Sequence, residues 1–205
     1  MTARAARRTQ AERSSKSERS LLQAAIDVIA SSGVGAATFE ALGRESGFSR
    51  GLATQRFGSK QKLIEAVLAH LHERQEAMLV EHRLDARPGL EAILTYVDLA
   101  VRDLALRNEA RAYFMLLSSS VADASDLREG FRGSHAEVKQ RFKDWVEKGQ
   151  AEGGIRADVD PDAAALMIGC LLFGLSMQLL VDPAMDLAPL RETSLSMLRI
   201  SLSAA

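Results

Sequence analysis

Arg50, Thr54 and Gln55 are the side chains in this sequence whose types and spacing carry the clearest chemistry. They lie in the run TFEALGRESGFSRGLATQRFGSK, residues 38–60. At roughly 100° per residue on a helix, with Arg50 at zero, Thr54 falls at about 40°, Gly51 at about 100° and Gln55 at about 140°. The four residues share one polar, small face. Ala53 falls at about 300°, Phe57 at about 340° and Leu52 at about 200°, so the helix has a packing side and a side free of bulky apolar groups. A guanidinium can bond guanine bidentately or grip a phosphate, and a carboxamide can read adenine. Gly51 costs about 1 kcal/mol in a helix relative to alanine, and a close approach to a duplex would explain its presence. The same wheel also describes a merely solvated face, because helix-turn-helix geometry occurs as plain packing too.

Other reactive residues form no comparable set. His70 and His72 are two apart on a helical stretch and point away from each other. His82 and His135 have no second ligand nearby in sequence, so no metal site is expected. No HExxH, CxxC, glycine-rich phosphate loop or nucleophile elbow occurs. No catalytic residue and no cofactor is assigned. His135 falls within an apolar stripe, as a core histidine with a local hydrogen bond or as a polar group in a ligand pocket. The single cysteine, Cys170, stands in an apolar run. It reads as a buried small hydrophobe in a reducing, cytoplasmic setting.

The elements that must position the polar face are helices. Ser15 and Glu18 have capping-box spacing, which predicts a first helix from about Ser15 to Gly33. Its apolar face is Leu21, Leu22, Ala25, Ile26 and Ile29. Thr38 caps a second helix that ends at Gly47. Ser49 caps a third that ends near Phe57. Gly47 supplies the backbone freedom for the turn, Gly43 removes a side chain where the two helices cross, and Phe48 plugs between them. Ser59 caps a long fourth helix. Pro88 opens a fifth with the stripe Leu90, Leu94, Val97, Val101 and Leu104. Further helices are predicted at about 109–121 and 125–152, then after Pro161 and from about Pro189 to Ser203.

Length and charge fit this division. The chain has 205 residues, of which 47% are hydrophobic, enough for a sizeable core. Residues 1–60 hold ten Lys/Arg against five Asp/Glu, whereas 61–205 hold 16 against 22. That asymmetry places a polyanion partner at the N-terminal part. The expected organisation is a basic arm over 1–14, a helix-turn-helix domain over 15–60 and a helical effector-binding and dimerisation domain over 61–205. Arg4, Arg7 and Arg8 of the arm either meet phosphate or the minor groove, or simply solubilise the chain.

Residues 163–181 approach the length of a membrane span, but aspartates flank them and no Lys or Arg anchors either end. A helix buried on all sides is expected, not a membrane segment. Such a helix needs a second cover, and a partner subunit supplies it. Gly169 and Gly174 would admit a close backbone. Met167, Cys170, Leu171 and Met177 would fill the seam, with Leu195, Met197, Leu198 and Leu202 of the last helix.

Residues 21–68 resemble the DNA-binding region of the tetracycline-repressor family of bacterial regulators. The resemblance rests on Gly33, Thr38, Gly47-Phe48-Ser49, Phe57 and Ser59-Lys60 in that order. The turn GGIRADVDPDAA at 153–164 is similar to the family's link into its dimerisation helices. The resemblance implies an all-α fold of about nine helices. It implies that Thr38 and Lys60 bind phosphates, that Ser49 caps the recognition helix and touches phosphate, and that Arg50 and Gly51 meet base edges. Family members often carry aromatic residues at the positions of Thr54, Gln55 and Arg56, so here positioning contacts would come from Gln55 and Arg56. It also implies a homodimeric repressor released from a palindromic operator by a small-molecule effector. Tyr96, Tyr113, Phe114, Met115, Phe131 and Trp145, with His135, would suit a mainly apolar ligand. Each is equally an ordinary core residue. The alternatives in class are a helical interaction bundle that reads no DNA, and an enzyme. Binding to duplex DNA at low salt separates both from a DNA reader.

Overall fold

The computed structural model describes residues 10–123 and 127–204, with side chains from Ser14 onward. Among the described residues the fold is all-α, with nine α-helices and no strand beyond an isolated bridge between Ile155 and Ser203. The basic residues Arg4, Arg7 and Arg8 lie outside the described residues. The helices form two compact units, which divide between His70 and Leu71.

The first unit holds α1 (Gln10–Ser32), α2 (Phe39–Ser46), α3 (Arg50–Phe57) and the start of α4 (Lys60–Glu81). The first helix starts earlier than its sequence predicts. Ser15 and Glu18 lie inside it and form no capping box. Residues 10–13 read QAER, strong helix formers that extend the helix backwards. Gly33, at φ 86°, ends α1, and a short 3₁₀ turn at Val34–Ala36 leads on. The Thr38 hydroxyl then accepts from the Ala41 amide at 3.2 Å and caps α2. Gly47 turns the chain in the left-handed region at φ 73°. Ser49 caps α3 by accepting from the Leu52 amide at 3.1 Å.

Helices α2 and α3 meet backbone to backbone. A methyl group on Gly43 would stand 2.8 Å from the Phe48 carbonyl oxygen and 3.1 Å from the Arg50 amide nitrogen. Phe48 is half-buried beside this crossing. Leu42, Ala53 and Phe57 complete a core with Leu21, Ile26 and Ile29 of α1.

The second unit continues α4 and adds α5 (Gly89–Leu106), α6 (Asn108–Ala122), α7 (Leu127–Ala151), α8 (Pro161–Val181) and α9 (Ala188–Leu202). Helix α5 is central and packs on α7, α8 and α9. Its Ile93, Val97, Val101 and Leu104 are buried, with Phe142, Trp145 and Val146 of α7 in the same core. Gly89 allows the approach of α7, because a methyl there would stand 2.1 Å from the Trp145 carbonyl oxygen. The Arg156 amide donates to the Leu202 carbonyl at 2.9 Å, and the Ala204 amide to the Gly154 carbonyl at 3.1 Å. These bonds tie the α7–α8 link to the end of α9. Asp160 caps α8, accepting from the Ala163 amide at 2.7 Å. Lys143 and Lys139 hold the neighbouring Asp162 carboxyl down at about 2.

Within the single chain, helix α8 is buried on one side only. Ala165, Ile168, Leu175, Ser176 and Leu179 face inward, while Leu166, Met167, Phe173 and Val181 are exposed. Cys170, expected to be buried, is also exposed. The helix is long and apolar enough to cross a membrane by length and composition alone. Its inward face instead closes the helical core formed with α5, α6 and α7.

The Gly43 crossing makes a direct prediction. Gly43→Ala forces the α2–α3 turn apart at backbone atoms that have no soft side chain to yield. The substitution should destabilise the protein by about 1–3 kcal/mol in urea denaturation and weaken binding of duplex DNA. A variant as stable as the parent would show that the crossing has slack.

Candidate functional site

The elements of the first unit build one polar surface. Arg50, Gly51, Thr54 and Gln55 are all exposed on α3, with Ala53 and Phe57 buried behind them and Leu52 half-buried. The Thr54 hydroxyl donates to the Arg50 carbonyl at 3.0 Å. Its proton is therefore satisfied within the helix, and its oxygen lone pairs and methyl face outward. Gly51 has open space around it; a methyl there would find only the Ser49 hydroxyl oxygen, at 3.8 Å. Internal packing does not require a glycine at this position, whereas an external surface pressed against α3 would.

Thr38 and Ser49 are exposed at the N-termini of α2 and α3. Helix N-termini present free amides and a partial positive charge, both suited to phosphate oxygens. Lys60 is exposed at the start of α4, and its ammonium donates to the Gly35 carbonyl at 2.8 Å. One bond of three leaves protons for an anion.

Arg56 has partners within the chain. It is half-buried, and its guanidinium donates to the Ser14 hydroxyl at 2.5 Å and lies 3.5 Å from the Glu18 carboxylate. The sequence placed it among the DNA contacts; the structure directs it to α1. Its partners Ser14 and Glu18 were missed because they are some forty residues away in sequence and leave no periodic signal at that distance.

The second unit gathers the aromatic residues into two clusters. Tyr113 meets Phe114 and Phe131 edge to face, each at 5.3 Å between ring centroids, with His72 at 6.0 Å. Tyr96 meets Phe142 at 5.0 Å and Trp145 at 5.9 Å. Tyr113, Phe114 and Met115 are half-buried, whereas Tyr96, Phe131 and Trp145 are buried. Burial pushes the Tyr96 hydroxyl up to about 12, against a hydrogen bond from Gln75 at 2.7 Å. The Tyr113 hydroxyl is also raised by burial. The Trp145 indole donates to Asp85 at 3.0 Å.

His135 is a correction: it is exposed on α7, not a core histidine. Phe131 is buried but Val138 only half so, and the stripe turns outward between them. The adjacent Ser134 instead bonds His72 at 2.9 Å. Burial lowers the His72 pKa despite attraction from Glu137 and Glu76. His72 and Gln75 lie three apart and share a face of α4, a signal present in the sequence that the apolar stripe concealed. Among the described residues no cluster of His, Cys, Asp or Glu could hold a metal ion.

The outer surface of this unit is a second feature. Met167, Cys170 and Gly174 of α8 and Met197 of α9 are exposed, and Met177 is half-buried. Four residues expected in the same seam turn inward. Leu202 is buried, and Leu171, Leu195 and Leu198 pack against the same core. Leu166, Phe173, Val181, Leu190 and Ile200, not foreseen, are exposed. The uniform apolarity of α8 concealed its phase, and Ser176, a polar residue within it, is buried with its hydroxyl on the Leu172 carbonyl at 2.7 Å.

Two family models match the chain. Residues 21–67 match the bacterial regulatory proteins of the tetR family, and residues 89–202 match the C-terminal domain of BetI-type transcriptional repressors. The chain belongs to the TetR family. It is accordingly a helix-turn-helix DNA-binding transcriptional regulator. No curated protein sequence matches it significantly.

Solved TetR-like structures share the fold across nearly the whole length. A Saccharomonospora viridis protein assigned as a transcriptional regulator, in complex with choline, is 20% identical at a TM-score of 0.79, covering 93% of this chain and 100% of its own. NalD, the secondary repressor of the MexAB-OprM multidrug efflux pump in Pseudomonas aeruginosa, is 21% identical at a TM-score of 0.69, covering 94% and 98%. The SmeT–triclosan complex is 22% identical at a TM-score of 0.74, covering 92% of both chains.

The α3 surface yields a prediction with two distinguishable parts. Arg50→Ala and Gln55→Ala should each cost about 1–3 kcal/mol of operator binding and relax base preference. Lys60→Ala should weaken cognate and unrelated duplexes alike and reduce the salt slope by about one. Fluorescence anisotropy across a salt series measures both. Unchanged operator affinity in the Arg50/Gln55 double variant would remove these residues from the reading face.

Proposed function

We propose that the protein is a cytoplasmic homodimeric repressor that reads a palindromic operator with one α3 per subunit and is released by a small, mainly apolar ligand. The observation that carries this reading is the exposed face of Arg50, Gly51, Thr54 and Gln55 on α3, a helix capped by Ser49 and packed on α2, itself capped by Thr38. On this reading Arg50, Gly51 and Gln55 meet base edges. Thr38, Ser49 and Lys60 grip phosphates and fix the register, which carries no sequence information of its own.

One two-turn helix reads only a few bases. Two heads about 34–36 Å apart read successive half-sites, so dimerisation is part of recognition. The exposed apolar residues of α8 and α9 support it. Leu166, Met167, Cys170, Phe173, Gly174 and Val181 fall within an arc of about 120° on one side of α8, and Met197 and Ile200 lie on α9. Two helices from each subunit would make a four-helix seam.

The ligand would sit among α4 to α7. Tyr113, Phe114 and Met115 are half-buried, so they retain surface to offer, whereas Trp145 and Phe131 are already committed to the core. The choline and triclosan complexes concern other proteins; they show that this fold accommodates small molecules of different chemistry. Helix α4 contributes residues to both units, a continuous element through which a ligand could bias the DNA heads.

A thermal-shift screen of hydrophobic small molecules, followed by operator-release assays, tests the effector. At least one stabilising compound should release DNA, and Tyr113→Ala should weaken it. If every stabilising compound leaves operator affinity unaltered, the effector reading fails. The dimer has its own test. Gly174→Arg should give monomers in analytical ultracentrifugation and lose operator binding with the dimer. A fully dimeric Gly174→Arg protein would move the interface elsewhere.

A further inference from the structure

Arg56 ends the recognition helix beside Gln55, yet its guanidinium is turned inward. Its Nη2 donates to the Ser14 hydroxyl at 2.5 Å and the Ser14 carbonyl at 3.3 Å, and its Nη1 stands 3.5 Å from a Glu18 carboxylate oxygen. These contacts cross from α3 to α1. The rest of α3 is lightly anchored. It has eight residues and buries two of them, Ala53 and Phe57. Its main packing neighbour is α2. A two-turn helix held along one line of apolar contact can roll about its axis. Roll swings Gln55 and Arg50 across the groove while leaving the helix intact. A contact off that line resists it, and Arg56 is such a contact. The planar fork of a guanidinium suits this job, because it takes two acceptors at fixed angles.

We propose that Arg56 is a positioning residue for DNA reading: by fastening α3 to Ser14 and Glu18 of α1, it sets the roll of the recognition helix, and it is not a phosphate ligand. The two roles differ in sign at Glu18. If Arg56 gripped phosphate, Glu18→Ala would free the guanidinium and remove a negative charge near a polyanion, and DNA binding would tighten. With Arg56 as a fastener, Glu18→Ala loosens α3 and operator binding weakens.

The experiment measures operator and unrelated-duplex affinity of the full-length protein over a salt series. Glu18→Ala, Ser14→Ala, Arg56→Ala and the Glu18/Arg56 double variant are compared. Glu18→Ala and Arg56→Ala should each weaken operator binding about three- to tenfold, the scale of a partly exposed charge-assisted contact. The double variant should be no worse than Arg56→Ala, since both remove one interaction. Unrelated duplexes should bind Arg56→Ala as before, with an unchanged salt slope. Tighter or unaltered operator binding by Glu18→Ala overturns the proposal, as does a salt slope lower by about one in Arg56→Ala. Should Arg56→Ala fail to fold, Glu18→Ala and Ser14→Ala decide the matter. They alter only partners of the guanidinium, and circular dichroism confirms their helix content.

Discussion

The α-carbon of Gly43 lies so close to the Phe48 carbonyl that a methyl group would stand 2.8 Å from its oxygen. That approach sets the angle at which α3 leaves α2, and much of the first unit follows from it. Gly47 must turn in the left-handed region to bring the chain round. Ser49 then falls at the N-terminus of α3, where its hydroxyl caps the helix. Ala53 and Phe57 drop onto the core, and Arg50, Gly51, Thr54 and Gln55 are left outside. A larger residue at position 43 would tilt α3 and redirect all four. The direction of this exposed face is thus specified by a residue that does not lie on it.

The second unit solves a different problem. Its helices are long, and their stability comes from burying large apolar stripes rather than from turn chemistry. Close backbone approach recurs at Gly89 against Trp145, but here it lets α5 and α7 share an aromatic core. Helix α8 carries more apolar surface than one core can cover. Half of it closes the unit, and the other half, from Leu166 to Val181, remains exposed. An apolar helical face left in water costs roughly 25 cal/mol per Å² relative to burial. On the proposed reading, this is the surface that pairs two reading heads.

The two units differed in how far the sequence alone revealed them. In the head, each turn is marked by a residue with one physical job. Thr38 and Ser49 cap, Gly47 takes a positive φ, and Gly43 permits a crossing. These effects act over three or four residues, so spacing exposes them. The early start of α1 was not legible in the same way, because the SSKSE run offered a plausible cap that a stretch of helix formers overrode. In the second unit the decisive information is tertiary. His135 has the spacing of a buried stripe but lies where that stripe turns to solvent. Helix α8 is apolar on every side, so no pattern says which side is inner. Cys170 of α8 lies on the exposed side of the unit, whereas Leu202 of α9, expected in the same seam, lies within the core.

Arg50 and Arg56 show the same limit within one helix. They are six residues apart, equal in charge, and both near the surface in sequence terms. One guanidinium is exposed; the other is taken by Ser14 and Glu18. This matters because positions 54 to 56 carry no aromatic residue. Thr54 has spent its proton on the Arg50 carbonyl, and Arg56 faces α1. Of the three, Gln55 alone presents an exposed side chain with free donors and acceptors. On the proposed reading, register on the duplex is set largely by helix N-termini and by Lys60, where amides and an ammonium would meet phosphate without reading sequence. On the same reading, base discrimination is left to Arg50 and Gln55, about 140° apart on the helix. Two readers so widely separated reach different base pairs only if the helix is held at one angle in the groove. The fewer the side chains that grip the duplex from α3 itself, the more its orientation must be fixed from behind, which is where the structure places Arg56.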